Sequence, residues 1–352
     1  MNAPFSPNAM TAFAHADDPA EAGQLLHIAV LALPGFSHLA LHAYIEPLRI
    51  ANALAKEPLF RWQVVGMDSQ AVIGANGLSI SVDATIEALN ALGSERAGPN
   101  QLVIVAGEPV DRQSTPDLNG FLRTIARRGV AISAIGTATW LLAQAGLLAD
   151  SRCTIHWSRL AAFSEVFRKP RIRDSLFVKD GQYSTCAGEL AAFDLAVDLV
   201  ATHAGAFIAQ EVCRHATVAG QRSGSNRQTG PSGIAFTGVS ESLIAAIRIM
   251  EENIEFPISM IELSGRVGVS RRQLERLFAT CLGVPPAKHY LQLRIDHAKR
   301  LIEGTRLPMV DIAFASGFVS ASHFSKCFRA IHRISPQQLR LTVPAWVGRG
   351  IG

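Results

Sequence analysis

The chain has 352 residues, of which 48% are hydrophobic and 18% charged, a length for two domains and a composition that excludes a fibrous or wholly disordered protein. No apolar run reaches the roughly 18–20 residues of a membrane span, and residues 1–24 lack the basic start and apolar core of a secretory signal, so a disordered leader and a cytoplasmic protein are expected. The net charge of +4 is divided unevenly, with −4 over residues 1–220 and +6 over residues 238–352.

Residues 25–33 (LLHIAVLAL) form a continuous apolar run suited to a strand buried on both faces of a parallel sheet. A helical pattern follows, with Leu39, Ala43, Pro47 and Ile50 near one face. Strands are expected at 62–67, 78–82, 101–106 and 130–135. Between and after them come helices at 115–128, opened by Thr115-Pro116, and at 138–147 and 156–167. A hairpin around Lys179-Asp180-Gly181 and helices at 187–204 and 206–219 complete the segment. Alternating strand and helix with short turns predicts an open α/β sheet with helices on both faces, spanning 25–220.

Residues 221–233 (QRSGSNRQTGPSG) bury no apolar surface, and 221–238 reads as a flexible linker. From 239 to 341 the pattern is all helical, followed by a loose tail over 342–352. Within this second domain one pattern occurs twice, at 262–286 and 311–336, each a short helix, a glycine turn (Gly268, Gly317) and a second helix with one apolar face. Leu274 and Phe324 stand fifty positions apart, as do Phe278 and Phe328. Two tandem helix-turn-helix units suit successive stretches of major groove, and the basic charge collects where phosphate contact requires it.

In the first recognition helix Ser270 is the expected cap, with Leu274, Leu277 and Phe278 inward and Arg271, Arg272, Gln273 and Arg276 outward, where they can bond base edges. In the second, Ser320, Ser322, His323, Lys326 and Arg329 are the DNA-facing candidates, and Ser322 and His323 equally fit a cap or phosphate contact. Residues 287–303 read as a connecting helix about 25 Å long.

In the first domain, residues 131–148 (AISAIGTATWLLAQAGLL) run from a buried strand through a tight turn into a helix, the geometry of a nucleophile elbow. The apex residues are Gly136, Thr137 and Ala138, so no Cys or Ser stands where a nucleophile would. The turn still leaves a helix N-terminus at the carboxyl ends of parallel strands, a setting that favours a carboxylate or other anion. Candidate ligand contacts are Phe36, Ser37, Glu46, Gly136, Thr137, Thr139, Trp140, His156 and Trp157, and Trp62 is a further aromatic face for an alkylated amine. For Glu46 a surface pair with Arg49 or Arg214 fits equally, and for His156 a structural hydrogen bond beside Trp157. The five cysteines are scattered without a CxxC pair, so free thiols are expected, with no metal site and no cofactor.

Residues 240–340 resemble the AraC/XylS transcription regulators, notably in SRRQLERLF, LRIDHAKRLI and IAFASGFVSASHFSKCFR. The segment around Gly136 resembles the PfpI-type proteins of the class I glutamine-amidotransferase-like superfamily, so the whole of 25–340 resembles the GlxA-type branch of the regulators. The resemblance implies a flavodoxin-like sensing domain in front of an all-α double helix-turn-helix domain. It further implies a regulator, usually an activator, working as a homodimer with promoter DNA, RNA polymerase and a small-molecule effector as partners; an amidotransferase-like hydrolase is the alternative, which the missing nucleophile at Gly136 argues against. The effector class it implies is an amino acid or a quaternary or methylated amine, with catabolic genes under control. One departure is Arg333, where the family usually has glycine and where the first repeat has Gly283.

Overall fold

A computed structural model describes residues 25–68, 70–91, 98–228 and 241–342. The expected leader, most of the linker and the tail after Thr342 lie outside the described residues.

The elements run β1 (Leu26–Ala32), α1 (His38–Ala55), β2 (Phe60–Gly66), β3 (Val72–Ile73), β4 (Ser79–Ile80), β5 (Ala84–Thr85), α2 (Ile86–Ala91), β6 (Gln101–Ala106), α3 (Pro116–Arg127), β7 (Ala131–Gly136) and α4 (Thr139–Gln144). There follow β8 (Arg152–Cys153), α5 (Leu160–Val166), β9 (Arg171–Ile172), β10 (Phe177–Asp180), β11 (Tyr183–Cys186), α6 (Ala191–Ala204) and α7 (Ala206–His215). The remaining helices are α8 (Glu241–Glu252), α9 (Met260–Val267), α10 (Arg271–Leu282), α11 (Pro286–Gly304), α12 (Met309–Ala315), α13 (Ala321–His332) and α14 (Pro336–Thr342).

Two compact units form: the first takes Met1–Ile155 and Lys169–Asn226, the second His156–Arg168 and Arg227–Gly352. In the first, seven strands line up as β10-β11-β7-β6-β1-β2-β5, parallel except for β10 against β11. The central strands are buried on both faces because alternate residues serve opposite cores. Ile28, Val30, Val103 and Val105 meet Leu41, Tyr44 and Leu48 of α1 and Leu195 and Val197 of α6. Leu31, Leu102 and Ile104 are equally buried and turn to the other face, where α3 adds Leu118, Phe121, Leu122 and Ile125.

Several expected elements are differently bounded, among them the helices expected at 138–147 and 206–219, which end at Gln144 and His215. The strand at 78–82 shortens to β4, whose antiparallel partner β3 was not foreseen. The helix expected from 187 starts at Ala191, because Gly188 (φ +93°) and Glu189 (φ +48°) take left-handed conformations that end strand geometry without entering a helix. The helix at 156–167 divides into a 3-10 turn at Trp157–Arg159 and α5. The six residues 221–226 lie on the first unit, where Leu176 and Phe177 donate their amides to the carbonyls of Asn226 (2.9 Å) and Gly224 (3.2 Å).

The second unit has two small cores that share α11. Its first half gives Tyr290 and Leu293 to a core with Leu243, Met250, Leu263, Leu274 and Phe278. Its second half gives Ile295, Ala298, Leu301 and Ile302 to a core with Ile312, Phe318, Phe324 and Phe328. Each core is one helix-turn-helix closed over half of the same helix, about 28 Å long at 1.5 Å per residue.

Candidate nucleic-acid interface and sensor site

In the first helix-turn-helix, α9 is capped by Ser259, whose Oγ accepts from the amide of Glu262 at 3.1 Å, and ends at Gly268 in the left-handed conformation (φ +76°). Ser270 then opens α10 through a reciprocal cap: its Oγ accepts from the Gln273 amide (3.2 Å), while Gln273 Oε1 accepts from the Ser270 amide (2.8 Å). That cap occupies one end of the Gln273 side chain, and Arg271 Nε donates to Glu275 at 3.1 Å. Arg272 and Arg276, exposed one turn apart, carry no ion pair among the described residues. Of the four outward residues expected to read bases, these two are the cations whose guanidinium groups stand free.

In the second unit of the pair, Ser320 caps α13 by accepting from the His323 amide (3.2 Å). The His323 ring lies edge-on to Phe318 and its Nε2 stands 3.4 Å from Cys327 Sγ, so it is held against the helix. Ser322, Lys326 and Arg329 are exposed, and with Ser325, Ala330 and Arg333 they line a shallow depression of about 540 Å³. All ten residues expected at the DNA face therefore lie on α10 and α13 or at their caps, on two exposed faces flanked by left-handed helix ends.

The first unit brings fewer of its candidates together. Gly136 sits at the end of β7 with φ +70°, and a side chain there would first meet Gly188 Cα, 3.9 Å away, so the apex has room but carries nothing. Thr137 Oγ1 donates to the Ala106 carbonyl at 2.9 Å and is buried. Phe36, Thr139 and Trp140 are wholly buried and belong to the packing of the turn rather than to an accessible wall. Glu46 pairs with Arg49 at 2.7 Å, eight residues into α1 and about 12 Å along its axis from His38. Trp62 packs half-buried against the core. His156 and Trp157 fall in the second unit: His156 Nδ1 meets Ser158 Oγ at 2.8 Å, and the Arg300 guanidinium stands 5.8 Å over the Trp157 ring. The structural alternatives weighed for Glu46 and His156 are the contacts observed.

Ser37, a candidate from the sequence, is joined by two residues that the sequence did not single out, Gly188 and Glu189. Ser37 caps α1, accepting from the Ala40 amide (3.2 Å) and donating to Glu189 (2.7 Å), a partner 152 positions along the chain. Gly188 sits so close to Gly136 that a Cβ on it would come within 2.8 Å of Gly136 Cα. The exposed Glu189 carboxylate, the half-buried Ser37 and the empty apex at Gly136 thus lie at the carboxyl ends of β11, β1 and β7. The signal for Glu189 was present but weak: a lone glutamate after a glycine in a run read as helix. The thiol beside the turn, Cys186, is buried and pushed up to about 12, which leaves it protonated and unreactive.

The helix-turn-helix domain family matches residues 263–342 and the DJ-1/PfpI family matches residues 28–202. The chain is 36% identical to the HTH-type transcriptional regulator CdhR of Pseudomonas aeruginosa over 89% of its own length and 91% of the relative's. It belongs to the AraC-type transcriptional regulators. The regulator is also 34% identical to GbdR of Pseudomonas aeruginosa, over 90% of this chain and 84% of the relative. It is 32% identical to GlxA of Rhizobium meliloti, over 89% of this chain and 95% of the relative. Its two units are accordingly a DJ-1/PfpI domain of flavodoxin-like architecture and a DNA-binding domain with two helix-turn-helix motifs. No helix among the described residues is long and apolar enough to cross a membrane.

Proposed function

We propose that this regulator activates transcription of catabolic genes in response to an amino acid or a quaternary or methylated amine. The observation that carries the DNA half is the pair Arg272 and Arg276, exposed and unpaired on a doubly capped helix. Each can bond a guanine edge bidentately, for about 1–3 kcal/mol of discrimination. The tandem partner α13 contributes Lys326 and Arg329 to phosphates or bases. Promoter DNA, RNA polymerase and a second copy of the chain are the macromolecular partners, and the cytoplasm is the setting.

The sensor half rests on Gly136, where the elbow of the fold has no nucleophile, and on Ser37 and Glu189 beside it. A turn with room and no reactive atom is suited to holding a small molecule rather than transforming it. The Glu189 carboxylate offers a counter-charge for an ammonium group. On this reading the chain binds the molecule at the turn, and a hydrolase of the amidotransferase-like class is the disfavoured alternative, because Gly136 replaces the nucleophile.

The deciding experiment is a gel shift with the region upstream of the regulator's own gene, with and without glycine betaine, carnitine and free amino acids. Those compounds are screened in parallel by thermal shift, since a ligand of the folded state raises the melting temperature. Sequence-specific, salt-sensitive binding and a shift with one of these classes are expected. Binding that ignores sequence, or steady turnover of amide or ester substrates by the purified chain, overturns the reading.

A further inference from the structure

The second helix-turn-helix is held at its turn in a way the first is not. Arg294, at the middle of α11, donates from Nε to the Ser316 carbonyl at 3.0 Å and from Nη2 to the Gly317 carbonyl at 2.7 Å. Its guanidinium also lies 4.2 Å from the centre of the Phe318 ring. These carbonyls end α12, where a cation meets both the unsatisfied acceptors and the negative end of the helix. On its other side the same turn abuts the loop between α8 and α9. A Cβ on Gly317 would collide with the Ile254 carbonyl oxygen and come within 2.6 Å of Pro257 Cγ. That loop is tied to α11 as well, because Tyr290 Oη donates to the Asn253 carbonyl (2.5 Å) and accepts from the Ile258 amide (3.4 Å).

The corresponding turn of the first motif is open. A Cβ on Gly268 would meet nothing within 4 Å. α11 passes between the two cores just where Arg294 stands, with Leu293 in one and Ile295 in the other.

We propose that Arg294 and Gly317 set the register between the two recognition helices, so that the regulator tolerates one spacing between its two half-sites. Arg294 is a positioning residue: it touches backbone carbonyls of the turn that leads into α13. With the turn clamped between α11 and the 253–258 loop, α13 cannot rotate independently of α10. Its angle and distance on the duplex are then built in before DNA is met. The inference rests on both recognition helices engaging DNA, and failure of that premise reads out separately, as protection of a single half-site in a footprint.

The test uses full-length protein and a duplex that it selects from a random-sequence pool, alongside the same duplex with two base pairs inserted between the half-sites. Two base pairs turn the second half-site by about 70° and move it about 7 Å along the axis. Wild type is expected to lose about a hundredfold in affinity on the inserted duplex. In Arg294→Ala that penalty should shrink below about tenfold, with Arg294→Lys between the two. A merely structural role for Arg294 lowers affinity for both duplexes and leaves their ratio unchanged, which overturns the proposal. A wild-type protein that tolerates the insertion overturns it too. Should Arg294→Ala lose its helical circular dichroism, Arg294→Lys carries the comparison by itself, and an unchanged ratio there has the same meaning.

Discussion

Arg333 takes, at φ +64°, the left-handed helix end that Gly283 takes at φ +67° in the first repeat. Its amide still closes the helix on the Arg329 carbonyl at 2.9 Å, so the cap geometry is kept and the cost falls on the side chain. For a residue with a Cβ that conformation costs about 1–2 kcal/mol, and glycine returns roughly half of this through its freer unfolded chain. Arg333→Gly should therefore stabilise the second motif by about 0.5–1 kcal/mol, read as stronger hydrogen-exchange protection of the α13 amides. Arg333 also lines the depression with Lys326 and Arg329. The same variant should lower the slope of log affinity against log salt by about 0.9, the value of one phosphate contact. Greater stability with weaker DNA binding is the expected combination.

On α10 the hydrogen bonds separate reading from capping. Arg272→Ala or Arg276→Ala should relax preference at one base pair each, by about 1–3 kcal/mol, measured by competition among singly substituted duplexes. Gln273→Ala should leave base preference unchanged and cost about 1 kcal/mol of stability, because its Oε1 serves the Ser270 amide. Lys326→Ala should weaken all duplexes alike and reduce the salt slope. A Gln273→Ala protein with altered base preference would assign the reading to the wrong side chain.

Most of the fold was legible because its signals are periodic. The apolar runs at β1 and β6, the fifty-residue repeat and the glycine turns each come from one local rule repeated along the chain. The split of α10 into a buried and an exposed face was legible for the same reason, since helix periodicity separates Leu274 and Phe278 from the arginines. The candidate sensor site was not. Its members come from loops far apart in sequence, and no local pattern distinguishes Ser37, which reaches Glu189, from a simple cap. Trp140 and Thr139 were misplaced because a helix that follows a buried strand so tightly buries its first residues against the sheet. His156 and Trp157 lie on an excursion between β8 and β9 that packs in the second unit, a tertiary choice that nothing in their own sequence announces.

The thiols give a test of the non-catalytic reading. Burial pushes Cys153 and Cys186 up to about 12 and raises Cys213 as well, while Cys281 is exposed on α10. A raised thiol pKa favours the neutral form, so at pH 8 the thiolate of Cys153 or Cys186 is on the order of one part in ten thousand. Iodoacetamide at that pH should label Cys281 first and leave the three buried thiols unmodified until the protein unfolds. Raising the pH to 9 should change this order little. Rapid native labelling of Cys186, mapped by mass spectrometry, would mean a reactive thiolate beside the Gly136 turn and would reopen the enzymatic reading.

Asp194 and Arg222 fix how much of the segment between the domains is held by the first one. The Asp194 side chain is 2% exposed, and its oxygens accept from the Arg222 amide (2.7 Å), Nε (2.9 Å) and Nη2 (2.7 Å). Gln221 Nε2 adds a bond to the Asp194 carbonyl at 2.9 Å. Truncating one partner of a fully buried pair costs about 3–5 kcal/mol. Here Arg222 keeps 47% of its side-chain exposure and can return to water, which lowers the figure to about 2 kcal/mol. Asp194→Ala should lower the melting temperature accordingly and open the peptide bond after Arg222 to trypsin, whereas Asp194→Asn, which retains an acceptor oxygen, should do less of both. If Asp194→Ala melts and cleaves as wild type does, residues 221–226 are not anchored to the first unit by this pair.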